Sequence, residues 1–143
     1  MINKLNVTSV WVLDKEEALD FYVNKLGLEK GTDVKQGTYR WLTVRVPGDP
    51  GVEISLEAPG PPVQDEATAA QIRELITKGA MSSLVFNSDD VRGLYETLLA
   101  RGVTDFTQEP MDHFYGTDMG IRDPFGNAIR ILQPKKVAKK ATA

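Results

Sequence analysis

The sequence predicts an α+β fold of two tandem modules, each a strand, a helix and three further strands. Three observations predict it. Displaced by 75 residues, the chain repeats without a gap: Val10 falls on Val85, Asp14 on Asp89, Leu19 on Leu94, Gly27 on Gly102, Gly51 on Gly126, Ile54 on Ile129 and Pro59 on Pro134. The matched positions are helix starts, helix stops and strand cores, and two copies are too few for a solenoid, so one unit has been doubled. Within each half, a β-branched run gives way to apolar residues at helical spacing and then to three extended runs. Finally, 143 residues with 41% hydrophobic content suffice for one domain with its own core.

In the first half, residues 5–13 are rich in β-branched side chains and read as a strand. Asp14 then stands where an N-cap belongs, answered by Glu17 three residues on. Ala18, Phe21, Tyr22 and Leu26 follow at helical spacing, and Gly27 supplies the stop. Extended segments near 28–33, 39–46 and 52–57 complete the module. The second half replays this order. Residues 82–87 read as a strand, and Asp89 as the cap of a helix whose apolar face is Val91, Leu94, Tyr95 and Leu98. Gly102 ends that helix, and strands follow near 103–107, 114–121 and 128–132. Between the halves, Pro59-Gly60-Pro61-Pro62 marks a linker. A short amphipathic helix over 66–78, with Ile72, Leu75 and Ile76 on one face, has no counterpart in the repeat and is expected to be a connector or a lid. The expected boundaries are module one 3–59, linker and helix 60–79, module two 80–134, and a disordered basic tail over 135–143.

Composition narrows the chemistry. The chain has no cysteine, which removes disulfides, thiolate catalysis and cysteine-based zinc or iron–sulfur sites. His113 is the sole histidine, so one chain cannot supply a site that needs two imidazoles. A net charge of −3 gives no electrostatic case for nucleic acid. The basic cluster Lys135, Lys136, Lys139 and Lys140 reads as a solvated terminus. No apolar run approaches ~18 residues and residues 1–15 lack the order of a signal peptide, so no membrane partner is expected and the cytoplasm is the expected compartment.

Strand parity nominates the residues of a site. Over 39–46, Leu42, Val44 and Val46 share one face while Tyr39, Trp41, Thr43 and Arg45 share the other. The aliphatic face belongs under the helices. Likewise Ser9 and Trp11 oppose Val10 and Val12, Glu53, Ser55 and Glu57 oppose Ile54 and Leu56, and Arg130 opposes Ile129 and Ile131. The second face thus offers two tryptophans, carboxylates, hydroxyls and an arginine.

Two segments carry a resemblance. The run Asp14-Lys-Glu-Glu-Ala18-Leu-Asp-Phe21-Tyr22 leading to Leu26-Gly27 is similar to the first helix of the vicinal oxygen chelate superfamily, which includes glyoxalase I, extradiol dioxygenases and bleomycin-resistance proteins. Asp123-Pro124-Phe125-Gly126-Asn127, followed by Ile129-Arg130-Ile131, resembles its closing hairpin. The resemblance spans roughly residues 3–134. It implies paired βαβββ modules whose mixed sheets curl around a cavity, commonly in a homodimer, in some members with modules exchanged between chains. Metal-dependent members place ligands early in the first strand and in the last strand of each module. Those positions here are Val7, Ser83 (or Ser82), Ser55 and Arg130, none suited to a divalent cation, and a guanidinium repels one.

The resemblance therefore implies a metal-free, cofactor-free module that sequesters a planar small molecule, as in the bleomycin-resistance branch associated with antibiotic resistance. Ligand contacts are expected from Trp11, Trp41, Ser9, Ser55, Phe114 and Arg130, with Arg130 either gripping an anionic group or pairing with Glu53, Glu57 or another internal acid. The alternative is a lyase, isomerase or dioxygenase of the same superfamily acting on a small metabolite, with Glu53 and His113 as candidate acid–base groups.

Overall fold

The computed structural model describes residues 1–136. Module one runs β1 (Val7–Trp11), α1 (Lys15–Leu19), β2 (Glu29–Gln36), β3 (Tyr39–Val46) and β4 (Asp49–Glu57). α2 (Glu66–Thr77) follows, and module two runs β5 (Ser83–Asn87), α3 (Val91–Ala100), β6 (Phe106–His113), β7 (Gly116–Arg122) and β8 (Ala128–Pro134). Each module builds its own four-stranded mixed sheet, ordered β1-β4-β3-β2 and β5-β8-β7-β6. The outer strand lies parallel to the last one, and the other pairings are antiparallel. The basic tail beyond residue 136, including Lys139 and Lys140, lies outside the described residues.

The first helix explains why a gapless repeat is only approximate. Asp14 caps α1 by accepting from the Glu17 backbone N–H, as expected. In module two the equivalent cap is Asp90, which accepts from the Gly93 N–H; Asp89, the residue expected there, does not serve. Before the helices the modules are therefore offset by 76 residues, and after them, from Gly27 and Gly102 onward, by 75. Module one holds one extra residue, and it is absorbed where α1 widens into a π-helical stretch, Asp20–Lys25. The pairing of Val10 with Val85 fails for the same reason. Val10 is fully buried and corresponds to Phe86, which packs partly buried against the core, whereas Val85 is 70% exposed on the opposite face.

Two other expectations shift. The strand expected over 103–107 runs instead from Phe106 to His113, and the next begins at Gly116, so Phe114 and Tyr115 form the hairpin turn between them. In α2, the buried stripe is Ala69 and Ile76 with Ile72 packed beside them, an i, i+3, i+7 row, and Leu75 stays largely exposed.

One buried cluster unites both modules. Leu42, Val44, Ile54 and Leu56 of the first sheet join Met119, Ile121, Ile129 and Ile131 of the second, with the helices between. Leu26, Leu28 and Val46 face Phe86, Leu94 and Ile131 across a gap of 120 Å³. Polar staples fix the two together. The buried Tyr22 hydroxyl donates to Asp123 at 2.7 Å, and Asn127 donates to the Trp11 carbonyl at 2.7 Å. The aliphatic faces of both sheets therefore contribute to one core, and their polar faces are turned away from it.

Candidate functional site

The polar face of module one follows from register. Ser9 pairs with Ser55 and Ser55 with Thr43, while Trp11 pairs with Glu57 and Val7 with Glu53, so all these side chains stand on one face. Trp41 joins them from β3, and both tryptophans are half-buried. Ser55 and Thr43 are fully buried at the floor. Thr43 donates to Glu53 at 2.7 Å, and Thr32 adds a longer contact at 3.3 Å. Glu57 accepts from Ser55 and, at 2.9 Å, from Tyr39. Burial, reinforced by the Glu57 hydrogen bond and charge, raises the Tyr39 phenol to about 12. Lys15 lies over the Tyr39 ring, 4.8 Å from its centre. Its pKa is lowered, chiefly by burial and with help from Arg40, against the opposing pull of Glu57.

Module two presents a polar face of different character, centred on Asp118, which is only 3% exposed. Tyr115 donates to its Oδ2 at 2.7 Å and Gln108 to its Oδ1 at 2.7 Å. Arg130 Nε lies 3.4 Å from Oδ2, and Arg130 Nη2 donates to Gln108 at 3.0 Å. His113 Nε2 is buried 2.9 Å from Oδ1 without hydrogen-bond geometry, its ring stacked on Tyr115. Burial pushes the Asp118 carboxyl up, but the Tyr115 and Gln108 hydrogen bonds and the nearby Arg130 and His113 charges outweigh it, leaving its pKa below the ordinary value. Gly120 makes room for this arrangement, since a Cβ there would lie 2.8 Å from Arg130 Nη1.

Strand parity thus brings Trp11, Trp41, Ser9, Ser55, Glu53 and Glu57 together on one face. Arg130 stands on the other module's face, and its partner is an internal acid, Asp118, in place of Glu53 or Glu57. Phe114 is 89% exposed at the β6–β7 turn, edge-on to Tyr115 and away from the tryptophans. His113, which the sequence left without a partner, meets Asp118 at the end of β6. Asp118, Tyr115 and Gln108 were missed. A signal for Asp118 existed: it stands at the parity opposite to the core residues Met119 and Ile121, which puts a carboxylate on the arginine's face.

The donors at the metal-ligand positions do not fit a divalent cation. Val7 has none, the Ser55 hydroxyl is committed to Glu57, Ser83 is exposed, and Arg130 is a cation. No group of three His, Asp or Glu with metal-binding geometry occurs among the described residues. No described helix is long and apolar enough to cross a membrane.

Comparisons with known proteins agree with the fold of two tandem modules. The family model of the Glyoxalase/Bleomycin resistance protein/Dioxygenase superfamily matches residues 4–131. The uncharacterized protein YurT of Bacillus subtilis (strain 168) is 36% identical over 131 residues, covering 91% of this chain and 98% of that protein. The crystal structure of UcmS2 superposes with a TM-score of 0.85 at 40% identity, over 92% of this chain and 98% of that one. TnmS3, an antibiotic binding protein from Streptomyces sp. CB03234, superposes with a TM-score of 0.73 at 28% identity, over 94% and 98% respectively.

Proposed function

Because the chain belongs to the glyoxalase/bleomycin resistance protein/dioxygenase superfamily, we propose that it is one of the binding members, a metal-independent protein that sequesters a planar organic molecule. One observation carries the reading. Trp11 and Trp41 stand half-buried on one sheet face over a buried floor of Ser55 and Thr43, where the positions that ligate metal in related enzymes hold no suitable donor. Flat aromatic walls with a few placed polar groups are what recognition of a planar ligand requires. The likeness to TnmS3, an antibiotic binding protein, supports the same class of ligand.

The pocket is proposed to need two chains. Within one chain both polar faces are turned away from the core that the aliphatic faces share. Val85 at 70% and Met111 at 49% exposure leave the module-two face uncovered. In a homodimer, module two of one chain closes over module one of its partner, giving two equivalent pockets related by the two-fold axis.

Tryptophan emission tests the reading. A panel of three- and four-ring planar aromatics should quench it on binding, and Trp11→Ala or Trp41→Ala should weaken binding by ~1–2 kcal/mol, the value of a lost aromatic contact and its buried area. The ligand should be recovered chemically unchanged. Turnover of a bound probe, abolished by Glu53→Gln or His113→Ala, would place the protein among the enzymes of the superfamily instead.

A further inference from the structure

We propose that the site takes a planar aromatic bearing a protonated amine, with Glu53 as its counter-ion and Asp118 as the residue that denies Arg130 to anions. This inference rests on the binding reading above and adds the charge class of the ligand. An arginine on a pocket face ordinarily advertises an anion site. Here two of the three guanidinium nitrogens are already engaged. Nε faces Asp118 at 3.4 Å and Nη2 donates to Gln108 at 3.0 Å. Gln108 in turn donates to Asp118 at 2.7 Å, so the three side chains close into a ring. An incoming carboxylate would compete for the fork with an almost fully buried one that Tyr115 also holds.

The charges of module one point the same way. The Lys15 ammonium donates to the Arg40 carbonyl and makes no ion pair, although its charge is felt by Glu57. Arg45, the cross-strand neighbour of Glu53 on the same face, is drawn off to Glu29 at 2.8 Å. Glu53 is left with hydroxyl donors, Thr43 at 2.7 Å and Thr32 at 3.3 Å, and no described basic side chain within ion-pair distance. Room for its carboxylate is held open by Gly31, where a Cβ would lie 2.8 Å from Glu53 Oε1. With Arg130 held by Asp118 and Arg45 by Glu29, Glu53 and Glu57 are the carboxylates of the module-one face without an ion pair among the described residues, and of the two only Glu57 feels the Lys15 charge, which leaves Glu53 the less compensated. A carboxylate partly withdrawn from water and lacking a cation gains most from one supplied by the ligand.

Three probes with one ring system and three charges test this: 9-(aminomethyl)anthracene, 9-(hydroxymethyl)anthracene and anthracene-9-carboxylate, titrated into the full-length protein. The wild type should bind the amine about fivefold or more tighter than the carboxylate, the scale of one partly exposed charge pair. Glu53→Gln should erase that preference by weakening the amine several-fold more than the alcohol. Asp118→Asn should strengthen carboxylate binding several-fold, and adding Arg130→Met should cancel the gain. Should Asp118→Asn fail to fold, the wild-type order and Glu53→Gln decide the matter. A wild type that prefers the carboxylate, or a preference untouched by Glu53→Gln, overturns the inference while the binding reading stands. If none of the three binds, the alcohol included, the binding reading itself falls and takes this one with it.

Discussion

Tyr22 is an aromatic on the apolar face of the first helix by sequence, yet its hydroxyl does as much as its ring. It is fully buried and donates at 2.7 Å to Asp123, which also accepts from the backbone of Phe125 and Asn127. Burial, then the Asp123 charge and hydrogen bond, push the Tyr22 phenol well above its ordinary value. Tyr22→Phe should therefore cost about 2 kcal/mol, the range for a buried hydrogen bond to a charged group, and chemical denaturation should show it. A loss below about 0.5 kcal/mol would mean that Asp123 is satisfied without Tyr22. The partner lies 101 residues away, which is why the sequence showed the ring and not the bond. Arg130 carries the same lesson. Its face was readable from Ile129 and Ile131, but the acid that claims it sits on the neighbouring strand and emerged only with the β7–β8 register, in which Gly120 pairs with Arg130.

At the level of the element, local capping chemistry and the internal repeat disagreed about the start of α3. Both Asp89 and Asp90 satisfy residue type, and the gapless offset favoured Asp89. In the fold Asp90 accepts from the Gly93 N–H at 2.9 Å. Asp90→Ala should lower stability by ~1 kcal/mol and Asp89→Ala by a few tenths at most. The reverse order in thermal melts would restore the gapless alignment. The strands were easier to read. Residues 39–46 were placed to the residue because period-two alternation there coincides with burial of Leu42 and Val44 under the helices. The hairpin at Phe114 and Tyr115 was misread because aromatic residues favour strands, and only pairing of His113 with Gly116 shows that the chain turns there.

For the whole molecule, the proposed pocket shared between two chains makes a prediction that an independent chain cannot meet. Trp41→Ala damages only the module-one face and Val85→Glu only the module-two face. Dimers reassembled from an equal mixture of the two variants should regain about a quarter of wild-type binding capacity, since half are mixed and each mixed dimer holds one intact pocket. No recovery, or a mass near 15.8 kDa by light scattering at low micromolar concentration, would refute the shared pocket. Stability should also depend on pH in a predictable direction. Asp118 titrates below 3.8 in the folded chain, so its contribution is present above that value and is lost as pH falls. Tyr39, raised from 10.0 to about 12, contributes below pH 10 and loses that contribution as pH climbs towards 12. Melting temperature should accordingly hold a plateau between about pH 4 and pH 10 and fall on both sides.

The sequence by itself determined the doubled strand–helix–strands plan, the cap and stop of the first helix, and the faces on which the residues of β3, β4 and β8 stand. These depend on spacing along the chain, and spacing is fully present in the sequence. Tertiary structure decided three things. It absorbed the extra residue of module one in a π-helical stretch, Asp20–Lys25, because the sheets hold their register more tightly than one helical turn holds its pitch. It paired Arg130 with Asp118, since a charge on a sheet face is settled by whichever opposite charge the neighbouring strand brings within reach. And it gathered the aliphatic faces of the two sheets into one core, because a shared core removes more apolar surface from water than two separate ones, leaving the polar faces turned away from it.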